Sequence, residues 1–285
     1  MRICLINDTT SCHAGSRKVM DNIRSYLTAH EITSTIPVVT VGGIDHRFID
    51  ECDVVVVNAE GSIHHNAPWG LTILKALKYA QSIGKRTFLL NALYEKMDRR
   101  FDDIIAGCDV VIARELYSYN NLKVLNPNTE LFPDFCVLNS EIVTSIEGVV
   151  GGIYKTKTHH SAIYKDCFQR LNVDTLSIGG KYTFDQYVSS YANIDLLLTG
   201  QHHAVYAAMM AGTPFIPTFS NSHKIESFLD WMDIPVMMCT TPQQVDAEMR
   251  VIMSGGYASK FEAAGDRLGE MTEKLDNRLK ELFNV

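Results

Sequence analysis

Short apolar runs alternate with amphipathic stretches along nearly the whole chain, and their spacing predicts strands and helices in strict succession. Arg2–Ile6 reads as a strand, Ser16–Ala29 as a helix with Val19, Ile23 and Leu27 on one face, and Ile36–Val41 as a second strand. Asp53–Asn58, with four consecutive valines, has the composition of a strand buried on both faces. Trp69–Ile83, Arg99–Gly107 and Glu115–Val124 read as helices, with strands at Thr87–Leu90, Asp109–Ala113 and Glu130–Phe132. Around Leu138–Gly152 the rhythm restarts. Strands are expected at Gly148–Ile153, Thr175–Ile178, Leu196–Leu198, Phe215–Pro217 and Val236–Met238. Helices are expected at Ser161–Leu171, Thr183–Tyr191, Ala204–Ala211, Pro242–Val251 and Tyr257–Phe283. A β-α-β-α order implies parallel strands with crossover helices. The expectation is an α/β protein of two Rossmann-like domains, 1–140 and 141–285, with parallel sheets facing across a cleft.

Composition narrows the class. At 285 residues the chain can bury a large core, and 46% apolar with 21% charged residues is ordinary for a globular protein. A net charge of −7 without a basic run argues against nucleic acid or an anionic membrane as the main partner. The N-terminus reads as a strand and not as a signal peptide, and no apolar run reaches membrane-spanning length. Seven scattered cysteines without a C-x-x-C pair read as thiols of a reducing compartment, so a cytoplasmic location is expected.

Polar clusters fall where strands give way to helices, the position at which open α/β sheets bind ligands. The first is Asn7–Arg17, whose Asp8, Thr9, His13 and Arg17 surround small residues; it has no three-glycine dinucleotide fingerprint. Ser16 as a helix cap is the competing account of that loop. The second follows the valine strand: Glu60 can serve as a base, with Ser62, His64 and His65 beside it. Capping of the next helix by Glu60 and Ser62 is the alternative. The third is Thr199-Gly200-Gln201-His202-His203 at a helix start, where the helix dipole favours a phosphate or carboxylate. The fourth, Phe219–Glu226, offers Ser222 and the point charge of Lys224, with Ser220 or Ser222 as a competing cap. His159-His160 reads as a loop. No metal site is expected, because adjacent histidines do not readily face one ion and no helical His-x-x-x-His occurs.

In this order the pieces resemble the polysaccharide pyruvyl transferase family. The likeness is carried by Asn7–Gly15, Asp53–Ser62, Val111–Ser118, Phe132–Asp134, Thr199–Ala204, Gly212–Pro214 and Lys224-Ile225. The resemblance implies a GT-B-like architecture and transfer of a pyruvyl group from phosphoenolpyruvate to a hydroxyl of a glycan-like acceptor, with no further cofactor. It places the donor on the second domain, against Thr199, Gly200, Gln201, His202, Ser222 and Lys224, with Arg114. His203 would be the general acid and Glu60 or His13 the base toward the acceptor. The acceptor would lie on the first domain near Asp8, Thr9, Arg17, Ser62, His64 and His65. Gln201 stands where the family pattern carries arginine. Two alternatives therefore stay open: a glycosyltransferase using a nucleotide sugar, and a sugar- or nucleotide-binding module without catalysis.

Overall fold

The structure is a computed structural model that describes residues 1–37, 43–157, 171 and 173–285. By contact the chain divides into two units. The first comprises Met1–Ser11, Val19–Phe135 and Glu273–Val285, and the second Cys12–Lys18 and Cys136–Thr272.

The first unit is built on six parallel strands: β1 (Arg2–Asp8), β2 (Glu31–Pro37), β3 (Val54–Asn58), β5 (Arg86–Ala92), β7 (Val110–Ala113) and β8 (Glu130–Leu131). Their order is β2-β1-β3-β5-β7-β8, so the winding reverses between β1 and β3. Every residue of β3 is buried, as an apolar strand between two helical layers must be. Val55 and Val57 on one of its faces join Ile73, Leu74 and Leu77 of α3 (Pro68–Ser82) in one core with Ile104 and Ile105 of α4 (Asp102–Ala106). A two-stranded parallel pair, β4 (Ile63–His64) and β6 (Tyr94–Glu95), was not legible in the sequence because each strand is two residues long. The C-terminal segment adds Leu275, Leu279 and Phe283 to the buried set, and Arg278 reaches Glu130 at 2.9 Å.

The second unit has four parallel strands, β9 (Ile153–Lys155), β10 (Asp174–Thr175), β11 (Leu196–Thr199) and β12 (Phe215–Pro217), ordered β10-β9-β11-β12. The reversal lies between β9 and β11. Helices α6 (Phe184–Tyr191), α7 (His202–Ala211) and α8 (Lys224–Met232) lie between or after these strands, followed by α9 (Pro242–Met253) and α10 (Ala258–Phe283). Thr183 and Thr241 close capping boxes on α6 and α9 with Gln186 and Gln244. Gly212 takes φ 70° to end α7, a conformation that glycine adopts without strain.

Several sequence expectations need correction. The strand expected at Gly148–Ile153 starts only at Ile153, because Gly148, Gly151 and Gly152 all have positive φ. Val236–Met238 forms no strand; the chain there touches the sheet only at the Thr218–Cys239 bridge. The second strand runs over Glu31–Pro37, and the rest of the segment expected to 41 lies outside the described residues. The helix expected at Ser161–Leu171, apart from Leu171, and the His159-His160 pair also lie outside them.

Candidate functional site

Each unit has its polar cluster at the carboxyl ends of its parallel strands, next to the point where strand order reverses. Connections from neighbouring strands diverge there and leave a crevice for ligand.

In the first unit the reversal brings Asn7, ending β1, beside Asn58, ending β3. Asn7 Nδ2 donates to the Asn58 carbonyl at 2.6 Å and to Ser62 Oγ at 3.0 Å. Thr9 Oγ1 donates to Glu60 at 2.6 Å, so the two loops are tied where sequence analysis placed Thr9, Glu60 and Ser62. Asp8 is engaged by Arg24 at 2.5 Å and by the Thr10 amide at 2.9 Å. Five non-glycine residues here have left-handed backbone: Asn7 (φ 66°), Glu60 (35°), His65 (50°), Asn66 (52°) and Asn91 (55°). Such conformations cost on the order of 1–2 kcal/mol each for residues other than glycine and concentrate at functional sites.

The β4–β6 pair fixes the histidines of this loop. His65 donates its backbone amide to the Glu95 carbonyl at 2.9 Å, and its ring lies 3.7 Å from the Glu95 carboxylate. His64 and His65 meet through their Nδ1 atoms at 3.0 Å. Burial pushes the Tyr94 phenol up to about 12, with Asp102 adding to the rise, so it stays protonated near neutrality. Gly70 in α3 is required by this loop, since a Cβ there would sit 2.5 Å from the Ser62 carbonyl oxygen. The N-cap of α3 is Ala67, which overturns the capping account of Glu60 and Ser62. Arg114 lies in the same unit, 1% exposed and paired with Asp134 at 2.8 Å.

In the second unit the reversal is marked by Thr156 after β9 and Thr199 ending β11, with hydroxyls 3.0 Å apart. Thr199 Oγ1 also accepts the Gln201 amide at 3.0 Å, which shapes the Gly200 turn into α7. The Gln201 side chain is used locally, accepting the Ile178 amide at 3.2 Å. The adjacent histidines have different surroundings. His202 packs edge-on against Tyr206 at 5.0 Å, within an aromatic group continued by Phe228. His203 faces the His13 ring at 4.9 Å and Phe184 at 6.5 Å.

His13 and Arg17 belong by contact to this second unit, although they follow β1 in sequence. His13 precedes α1 (Ala14–Tyr26), and its Nδ1 accepts the Ser16 amide at 3.2 Å. Ser16 is therefore inside the helix and receives no role as its cap. The Ala14 amide donates to the Gly179 carbonyl at 2.9 Å, anchoring the first turn. The first turns of α1 and α7 thus converge on the His13–His203 pair, and helix N-termini favour anions. Arg17 follows in the same stretch of α1, half-buried. Lys18 is committed to Asp185 and to the Asn139 carbonyl, both at 2.7 Å. Lys224 begins α8 and reaches Asn221 at 2.5 Å. Ser222 is buried, and α8 is capped at His223 without a side-chain bond, so neither Ser220 nor Ser222 is its cap.

Gly15 makes the His13–His203 approach possible: a Cβ on it would stand 2.4 Å from His203 Cγ. Alanine is the better helix former by about 1 kcal/mol, but overpacking costs about 1–3 kcal/mol, so Gly15→Ala should lower stability. His203→Ala in the double variant should recover only part of the melting temperature, because it removes the ring but leaves the His203 Cβ 2.7 Å from the added one. A double variant as unstable as Gly15→Ala alone would contradict this packing.

The profile of the family described as "Polysaccharide pyruvyl transferase" matches residues 7–223, which span both polar clusters. The chain belongs to the polysaccharide pyruvyl transferase family. Members of that family are transferases. No curated protein matches the chain in sequence. Its fold is shared with sugar-nucleotide proteins. The S. aureus MnaA–UDP structure aligns with a TM-score of 0.67 at 10% identity, covering 99% of this chain and 97% of that one. HepE from Anabaena in complex with UDP-glucose gives 0.60 at 11%, covering 100% and 99%. UDP-GlcNAc 2-epimerase from Neisseria meningitidis bound to UDP-GlcNAc gives 0.58 at 10%, covering 99% and 100%. At such identities the likeness concerns the GT-B-like fold. No helix among the described residues is long and apolar enough to cross a membrane.

Sequence reasoning missed Asn91 and Glu95. Asn91 interrupts the apolar run Phe88–Ala92 while fully buried, a signal visible in the sequence. Glu95 carried no such signal, because its role depends on the β4–β6 pairing.

Proposed function

We propose that this member of the pyruvyl transferase family moves the pyruvyl group of phosphoenolpyruvate onto paired hydroxyls of a glycan-like acceptor, forming a ketal. The observation that carries the reading is the convergence of two helix N-termini on the His13–His203 pair, with Arg17 on the same stretch of α1. Phosphoenolpyruvate has a phosphate and a carboxylate on one small carbon frame. Helix N-termini and a guanidinium suit both groups, and Arg17 supplies the fork geometry that Gln201 lacks.

His203 gives a proton to the methylene carbon, leaving a cationic centre at the phosphate-bearing carbon. One acceptor hydroxyl attacks that centre as its proton passes to a base, His13. Phosphate then leaves with its bonding pair, and a second hydroxyl closes the ketal as it loses its proton. The acceptor is assigned to the first unit, where Thr9, Glu60, Ser62, His64 and His65 gather.

A second reading rests on the UDP and UDP-sugar ligands of the structural neighbours. Here a nucleoside diphosphate occupies the second unit and Lys224 meets its phosphates. Thermal denaturation separates the two. A ligand at 100 times its dissociation constant adds about 2.7 kcal/mol, a shift of a few degrees. Phosphoenolpyruvate should give that shift, and UDP, GDP and CDP should not. A shift with a nucleotide alone would replace the pyruvyl reading by the glycosyl one.

A further inference from the structure

The second unit contains a cavity of about 800 Å³ that none of the chemistry above uses. Its walls are the end of α7 with Met209 and Met210, the following Thr213 and Pro214, Ile252 of α9, and one face of α10. That face runs Ala258, Phe261, Glu262, Gly265, Asp266, Leu268, Gly269 and Thr272, the spacing of a single helical stripe. The stripe forms the wall and rim of the cavity, with Leu268 buried, Phe261 and Thr272 half-buried, and Glu262 and Asp266 exposed. Here Gly265 and Gly269 leave it open, and a Cβ built on either meets nothing within 4 Å. Glycine inside a helix is destabilising relative to alanine, so the opening is kept at a cost to α10.

The lining is selective in charge. Glu262 and Asp266 are its charged side chains, and no lysine, arginine or histidine contributes to it. Lys260 and Arg267, the basic residues nearest along α10, are held by Asp233 at 2.5 Å and the Trp231 carbonyl at 2.9 Å. Tyr257 and Phe261 add aromatic surface, which attracts cations through the ring face. We infer that this cavity is a second ligand site, taking a small molecule with an apolar body and a cationic head such as an amine or quaternary ammonium. It disfavours the anionic donors of the histidine site, and ligand-sized pockets fall in this range of volume.

Titration calorimetry with octyltrimethylammonium, octanol and octanoate below their aggregation concentrations tests the site without any need for turnover. The ammonium probe should bind saturably and at least about tenfold more tightly than octanoate. Gly265→Leu should weaken the ammonium probe by about tenfold or more through filling the cavity, while the melting temperature holds or rises because α10 gains a better helix former. Glu262→Gln with Asp266→Asn should bring the ammonium and octanol affinities together. Absence of saturable ammonium binding, equal binding of octanoate, unchanged affinity in Gly265→Leu, or a fall in its melting temperature would each overturn the assignment.

Discussion

Replacing His203 by alanine is expected to lower the turnover of phosphoenolpyruvate with a glycan acceptor by about 10²–10⁴-fold, the usual contribution of a positioned general acid. At 1.36 kcal/mol per factor of ten this is about 2.7–5.4 kcal/mol of barrier. His203 sits on the first turn of α7 and faces His13, so its loss removes the proton donor without opening the aromatic group beyond it. His202 provides the control. It lies against Tyr206, and His202→Ala should lower stability while the folded protein keeps most of its turnover. Inorganic phosphate release, normalised to folded protein, reads both. Full turnover in His203→Ala would transfer the acid role elsewhere.

The largest expected effect on stability lies at Arg114 and Asp134. Both side chains are almost fully buried, and their 2.8 Å contact neutralises two charges inside the first unit. Arg114→Met leaves the Asp134 carboxylate without its cation, and breaking one side of such a pair costs about 3–5 kcal/mol. This is a large share of the 5–15 kcal/mol that holds typical domains together. Arg114→Met combined with Asp134→Leu should recover most of the loss, because two apolar side chains leave no buried charge behind. Urea unfolding of the single and double variants measures the difference. A near-neutral Arg114→Met would mean that the pair is not closed in solution.

Sequence pattern revealed the elements that local chemistry determines. The valines of β3 predicted a strand buried on both faces, and the small-residue run after Gly200 predicted α7. The pattern misled where glycine conformation decided the outcome, as at Gly148–Gly152, and where apolar residues lay in core without pairing, as at Val236–Met238. Each polar cluster was visible at its strand end, but how the clusters group was not. His13 and Arg17 follow β1, and it is tertiary contact, as in the packing of Gly15 against His203 and the Ala14–Gly179 hydrogen bond, that joins them to the second unit. The return of Glu273–Val285 to the first unit was equally hidden, since a continuous helix carries no mark of the point at which its surroundings change. Gln201 is informative in both settings. The sequence shows an arginine replaced, and the structure shows the replacement satisfying the Ile178 amide.

The most direct measurement incubates the protein with phosphoenolpyruvate and a panel of glycans bearing neighbouring free hydroxyls, followed by mass spectrometry and phosphate assay. Pyruvyl transfer predicts a product heavier than its acceptor by one pyruvic acid less one water, with one inorganic phosphate released per product. An unchanged panel with phosphoenolpyruvate, alongside glycosylated products and nucleoside diphosphate when nucleotide sugars are supplied, would contradict it.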